Sequence, residues 1–262
     1  MAIKLIAFDM DDTFLQNDMT VSPANMAAIR AAHEKGILIV PATGRPLVSV
    51  QIHSSHFGFV CPIIAYNGAT VRVADEEIFQ SRVPIDLARE IIALSVQDDL
   101  HVQVYDDDGF YYQQAWAGSI LYEAMAGIKG VEHKDILARL TQAPLKLLFV
   151  DLMGGIAALS QRMQELYGDK LSIFQSKPYY LEMVNKNSNK ALALAAVAEK
   201  YGILKEEVMA IGDAKNDLSM IQYAGIGVAV ENASDEVKQH ADFITRSNQD
   251  DGVAYAIEKF AL

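Results

Sequence analysis

Residues 3–15 read Ile3-Lys4-Leu5-Ile6-Ala7-Phe8-Asp9-Met10-Asp11-Asp12-Thr13-Phe14-Leu15. The first half is a short apolar run suited to a buried strand. The second half sets three carboxylates into four positions directly after it. At i and i+2 of an extended chain, Asp9 and Asp11 point the same way, about 7 Å apart. At an effective dielectric of about 20, two ionised carboxylates at that range repel by roughly 2 kcal/mol. The stretch therefore requires either a bound cation or a protonated carboxyl. Hard oxygen ligands without His or Cys suit Mg²⁺. A carboxyl kept protonated by its neighbours can serve as a general acid.

Working outward, Ser22-Pro23 is a helix start, Ser as N-cap and Pro at the first helical position. The helix runs through Met26, Ile29 and Ala32 to Gly36, and Ile37–Val40 is an unbroken apolar strand. This β-α-β spacing implies a parallel pair with a crossover helix. Asn67-Gly68, between β-formers, suggests a type I′ hairpin. The C-terminal part repeats the rhythm, with a helix from Lys190 to Gly202, a strand at Val208–Ile211 and a helix from Asp217 to Ala224. A strand at 227–230, a helix from Ser234, a strand at 243–245 and a helix from Gly252 follow. The middle differs: it reads helix, strand, strand, helix, strand, helix, strand, strand, with a hairpin signal at Asp106-Asp107-Asp108-Gly109. The expected fold is therefore α/β, a Rossmann-like parallel-sheet core of residues 1–82 and 187–262, interrupted by an α+β insertion at 83–186.

In open α/β sheets, ligands bind beyond the carboxyl ends of the strands. Asp9 and Asp11 follow the first strand there, Thr43-Gly44-Arg45 the second, and Asp213, Asn216 and Asp217 the strand at 208–211. Lys190 opens a helix just upstream. Taken singly, each motif also reads as a turn, a cap or a solvated loop; their coincidence at one sheet edge favours chemistry.

Bulk properties narrow the field. The 262 residues carry a net charge of −12 and a pI of about 4.9. That argues against nucleic acid, whose binding needs clustered Lys and Arg, and against anionic membrane surfaces. A phosphorylated substrate remains compatible, because a bound cation reverses the local sign. The single cysteine, Cys61, rules out an intramolecular disulfide and makes a cysteine-based zinc site implausible. No signal peptide or bilayer-length apolar stretch is present, so a cytoplasmic protein is expected.

Asp9-Met10-Asp11-Asp12-Thr13, Ala42-Thr43-Gly44-Arg45-Pro46, Asn189-Lys190 and Gly212-Asp213-Ala214-Lys215-Asn216-Asp217 together resemble the four motifs of the haloacid dehalogenase (HAD) superfamily phosphatases. Tyr66-Asn67-Gly68-Ala69 and the large insertion resemble the Cof-like branch, subclass IIB. Asp12 departs from the Gly of many members. The resemblance implies a phosphatase that hydrolyses sugar phosphates or similar small metabolites through an aspartyl-phosphate. It implies Asp9 as nucleophile, Asp11 as acid and base, and Thr43 and Lys190 as stabilisers of the phosphoryl group. It also implies Mg²⁺ held by Asp9, the main-chain carbonyl of Asp11 and Asp213, with Asp217 and Asn216 orienting the metal shell and loop. Backbone N–H groups around Asp12 and Thr13 would cradle phosphate. Gly44, Arg45 and Asn67 are further candidates for substrate or phosphate contact. The insertion would act as a cap that closes over the site and selects the substrate.

A phosphotransferase or mutase on hexose phosphates is the alternative on the same scaffold. A signalling receiver shares the Asp, Thr and Lys set but lacks the GDxxND motif and the insertion. Tyr105, Tyr112, Trp116, Tyr179 and Tyr180 read as pocket or as packing residues of the insertion. His53 with His56 reads as surface, Asp106–Asp108 as a turn, and Gly225-Ile226-Gly227 precedes a strand, so it is no dinucleotide fingerprint.

Overall fold

The computed structural model describes residues 2–262. The chain begins with β1 (Leu5–Phe8), α1 (Pro23–Glu34), β2 (Leu38–Pro41) and α2 (Leu47–Ser54). Next come β3 (Ile63–Ala65), β4 (Thr70–Val73) and β5 (Glu76–Gln80). Ser22 caps α1 by accepting from Asn25 N–H at 3.1 Å.

The middle carries α3 (Ile85–Gln97), β6 (Val102–Asp106), β7 (Gly109–Tyr112) and α4 (Ala117–Ala126). Then follow β8 (Val131–Glu132), α5 (Ile136–Arg139), β9 (Lys146–Val150), α6 (Ile156–Tyr167), β10 (Leu171–Lys177) and β11 (Tyr180–Asn185). The chain closes with α7 (Lys190–Lys200), β12 (Val208–Gly212), α8 (Leu218–Tyr223), β13 (Ile226–Ala229), α9 (Asp235–His240), β14 (Phe243–Ile244) and α10 (Gly252–Phe260).

Two compact units result, one of Met1–Gly44, Val50–Gln80 and Asn189–Leu262, the other of Arg45–Ser49 and Ser81–Ser188. The first holds a five-stranded sheet in the order β14-β13-β12-β1-β2, parallel throughout. Successive residues of its central strands alternate between two apolar layers, as the strand period demands. Ile6, Phe8, Ile39, Met209 and Ile211 share one layer with α1 and α10 residues. Leu5, Ala7, Val40, Val208 and Ala210 share the other with Ala193, Leu194 and Val197 of α7. Because both faces are covered, these strands read as continuous apolar runs rather than as alternation. β1 has β2 on one side and β12 on the other, so the strand order reverses at its carboxyl end, where such sheets open a crevice.

The second unit holds a six-stranded sheet, β10-β11-β9-β6-β7-β8, antiparallel except for the β7–β8 pair. One face is apolar: Val102, Val104, Leu147, Phe149, Leu181 and Met183 pack with Ile91, Ile92, Ile156 and Met163 of the helices. The other alternates with it and carries Gln103, Tyr105, Lys146, Tyr180 and Glu182, all buried. Asp106 pairs with Gly109, so Asp107-Asp108 is the two-residue turn expected from the sequence.

The type I′ hairpin expected at Asn67-Gly68 needs correction. β3 and β4 do pair, with Ala65 opposite Thr70, which leaves a four-residue connection, 66–69. Left-handed backbone begins one residue early, at Tyr66 (φ 51°), and continues through Asn67 (φ 56°) and Gly68 (φ 90°). The short β5, β8 and α5 were not expected either; β8 is two residues and α5 four, too short to leave a periodic pattern.

Candidate active site

Strand register brings the motifs together. Phe8 lies opposite Pro41 of β2 and Ile211 of β12. Asp9 N–H donates to Ile211 O at 2.9 Å, and Ala42 N–H to Phe8 O at 2.8 Å. The chains leaving the three strands therefore start side by side, about one strand spacing apart.

Past Asp9 the backbone turns irregularly through Met10–Phe14. Asp11 stays extended (φ −74°, ψ 132°), and Asp12 is left-handed (φ 58°, ψ 9°). Left-handed backbone favours Gly and tolerates Asp, so Asp12 can hold this conformation. Its side chain is exposed, and its carbonyl accepts from Asn232 Nδ2 at 2.7 Å. Asn248 N–H in turn donates to Asn232 Oδ1 at 2.9 Å, and Asn248 Nδ2 to Leu15 O at 3.0 Å. No spacing in the sequence announces this clamp across 220 residues.

Lys190, the first residue of α7, is fully buried. Its Nζ donates to Asp9 Oδ1 and to Asp217 Oδ1, each at 2.5 Å. The other oxygen of Asp217 accepts from the backbone N–H groups of Asp213 (3.1 Å) and Ala214 (3.0 Å). Only a glycine allows this return, because a Cβ at Gly212 would meet the Asp217 side chain at 2.5 Å. The Thr13 hydroxyl donates to Asp213 Oδ1 at 2.8 Å. The sequence pointed to Thr13 for its backbone; the structure adds this hydroxyl. Thr43 is buried, and its N–H donates to Ile64 O at 2.9 Å. Asn67 N–H donates to Thr43 O at 2.9 Å, and Asn67 Oδ1 accepts from Asn216 Nδ2 at 2.9 Å. Gly44 leads out of this turn. Arg45 groups with the second unit, where its guanidinium reaches Ser49 Oγ and Met125 O, each at 3.4 Å.

Carboxylate oxygens of Asp9, Asp213 and Asp217 lie within 4.8 Å of one another. Asp11, half-buried, is not among the three. Burial pushes the Asp9 carboxyl well above its ordinary value; Lys190 works against this, while Asp217, Asp213 and Asp11 add to it. Burial and Asp217 likewise push Asp213 up to about 7. Burial opposes the charge of Lys190, but Asp217 and Asp9 more than offset it, so the amine stays an ammonium. Three carboxylates against one ammonium make a cluster short of positive charge. Its all-oxygen donor set is the kind that binds a hard divalent cation.

Of the other histidines and acidic groups read from the sequence, His53 is half-buried and His56 exposed, and neither joins the three-carboxylate group. Asp106 accepts from Asp108 N–H at 3.1 Å, as a turn residue does, and pairs with Arg139 at 3.2 Å. Among the described residues, no helix is long and apolar enough to cross a membrane.

Comparison with known proteins agrees with this geometry. The family model of the haloacid dehalogenase-like hydrolases matches residues 6–257. The Bacillus subtilis protein YcsE, named 5-amino-6-(5-phospho-D-ribitylamino)uracil phosphatase, is 34% identical over 262 residues, covering 99% of this chain and 96% of its own. A haloacid dehalogenase-like hydrolase of Bacteroides thetaiotaomicron superposes with a TM-score of 0.91 at 32% identity, covering 98% of this chain and 99% of that one. TM0651 of Thermotoga maritima does so with a TM-score of 0.91 at 31% identity, covering 99% and 98%. A match across nearly the whole chain, on a sheet that gathers all four motifs at one edge, makes this protein a member of the haloacid dehalogenase-like hydrolases, of the phosphatase kind that acts on small phosphorylated substrates.

Proposed function

We propose that the chain is a Mg²⁺-dependent phosphomonoesterase of sugar phosphates and similar small phosphorylated metabolites, working through a phosphoryl-aspartate on Asp9. The observation that carries this reading is Lys190, buried and held at 2.5 Å from both Asp9 and Asp217, with Asp213 in the same carboxylate group. A buried ammonium there works against the burial of Asp9, favouring its ionised, nucleophilic form, and offsets charge on an incoming phosphate. The name of the YcsE relative, a phosphatase of a phosphorylated ribityl compound, supports a polyhydroxylated leaving group.

The side chains of Asp9 and Asp213, with the main-chain carbonyl of Asp11, would hold the cation, and Asp217 would secure Lys190 and the Asp213 loop behind them. When bound, Mg²⁺ supplies charge neutralisation and a Lewis-acid contact to the phosphoryl group. An oxygen of Asp9 attacks phosphorus, and the ester P–O bond breaks. Asp11 gives its proton to the departing alkoxide. Asp11 then takes a proton from water, whose oxygen attacks the same phosphorus; the bond to Asp9 breaks and inorganic phosphate leaves. Thr43, Lys190, Asn216 and the N–H groups around Asp12, Thr13 and Gly44 hold the phosphoryl oxygens through the transfer.

The test is phosphate release from a panel of sugar phosphates, nucleotides and phosphorylated cofactors, with Mg²⁺, after EDTA, and after Mg²⁺ is restored. Hydrolysis should be strongest on sugar phosphates, stop in EDTA and return with the ion. Turnover indifferent to EDTA would overturn the metal dependence. Transfer of the phosphoryl group to a sugar hydroxyl without free phosphate would favour a phosphotransferase.

A further inference from the structure

Asn67 is buried and sits within a run of left-handed backbone, Tyr66 to Gly68. Sustained positive φ is uncommon outside Gly, and a buried tyrosine is an unfavourable residue to hold there. Such conformations persist only where the surroundings over-determine them, and they concentrate at functional sites. Here the surroundings can be named. Asn67 N–H donates to Thr43 O at 2.9 Å, and Thr43 N–H to Ile64 O at 2.9 Å, so the loop and the turn after β2 are tied in both directions. Gly44 lies flat against the Asn67 carboxamide: a Cβ there would meet Nδ2 and Oδ1 at 3.0 Å. Asn67 Oδ1 accepts from Asn216 Nδ2 at 2.9 Å across 149 residues.

One side chain thus touches the loop after β2 and the loop after β12 together. An amide left to rotate offers a ligand either its oxygen or its nitrogen. By accepting through Oδ1, Asn67 decides which way Asn216 faces. We propose that Asn67 is a positioning residue: its carboxamide fixes the orientation of Asn216, and its backbone and side chain hold the Thr43-Gly44 turn, so that both present their polar groups to the phosphoryl site. Asn67 acts through these neighbours and not on the substrate. The inference rests on the phosphatase reading above for its kinetic part and on geometry alone for its structural part.

Asn67→Gly is the informative variant, since it keeps the left-handed backbone at ease and deletes only the carboxamide. With p-nitrophenyl phosphate as probe, N67G should lose about 10- to 100-fold in kcat/KM, mostly in kcat, with its melting temperature near that of the parent. Asn216→Ala should lose a similar factor. In the double variant the two losses should not multiply, because one acts through the other. In a crystal structure of N67G, the Asn216 carboxamide should take a different rotamer. Fully multiplicative losses, or an N67G enzyme with parental kcat and an unmoved Asn216, would overturn the proposal. If the parent hydrolyses no phosphate ester, the phosphatase reading fails; the rotamer of Asn216 in N67G still decides the positioning claim.

Discussion

Each unit of this molecule buries a lysine against carboxylate, and the two are built differently. Lys146, in the six-stranded sheet, has Nζ 3.2 Å from Glu182 Oε2 and 4.6 Å from the ring centroid of Tyr105. Burial opposes its charge, but Glu182 and Tyr122 hold it above the ordinary lysine value. One ammonium meets one carboxylate, and aromatic rings close around them. Lys190 is as deeply buried, yet it shares its proton donors between Asp9 and Asp217, with Asp213 beside them. The first sets one ammonium directly against one carboxylate. The second carries surplus negative charge and demands another cation. A buried ion pair is weak evidence for function; a buried cluster whose charges do not balance is a stronger pointer.

Substitutions should separate the two sites in opposite directions. Asp9→Asn removes the nucleophile, and kcat on p-nitrophenyl phosphate should fall by about a thousandfold or more. Since it also removes a charge from an overloaded cluster, its melting temperature should stay level or rise. An active D9N enzyme would dissolve the contrast. Lys146→Met should do the reverse to stability. It removes the buried ammonium that faces Glu182, a loss of about 3–5 kcal/mol for a broken buried pair, measurable by urea unfolding. The double variant Lys146→Met with Glu182→Leu should regain most of that, because the carboxylate is removed together with its ammonium. If the double variant stays as unstable as the single, the pair is more than a self-contained neutral unit.

The smallest effect concerns His101, in the second unit beside Tyr112 and Trp116 (ring centroids 5.6 and 5.4 Å). Its Nε2 is buried without a partner among the described residues, and burial pushes its pKa down to about 4 from 6.5. The unfolded chain therefore binds the extra proton first as pH falls. His101 contributes full stability above about 6.5 and loses it as pH drops toward 4. His101→Phe should flatten the dependence of urea midpoint on pH across that window, by up to about 2 kcal/mol relative to the parent. Parallel curves for the two proteins would show that His101 does not titrate with unfolding.

Much of this was legible in the chain because its signals are local. Ser22-Pro23 announced α1, and the apolar runs at Leu5–Phe8 and Val208–Ile211 announced strands covered on both faces. The GDxxND spacing put Asp217 one turn beyond Asp213, close enough to bond back to the Asp213 N–H. The strained loop at Tyr66 was missed because its conformation is held by Thr43, Gly44 and Asn216 rather than by its own composition. Asn232 and Asn248 were missed because single asparagines in loops carry no period and no motif.

The sequence by itself determined which elements form and which side chains could do chemistry, since periodicity, caps and residue type act within a few positions of each other. Only the tertiary structure decided who meets whom. Parallel register aligned Phe8 with Pro41 and Ile211, and so set Asp9 beside the loops of Thr43 and Asp213. Burial then made one ammonium serve two carboxylates. It also gave the sequence's three early acids different surroundings: Asp9 buried on Lys190, Asp11 extended and half-buried, Asp12 turned out to solvent by a left-handed backbone. Contacts across 149 to 220 residues fixed these outcomes, and no local rule reaches that far.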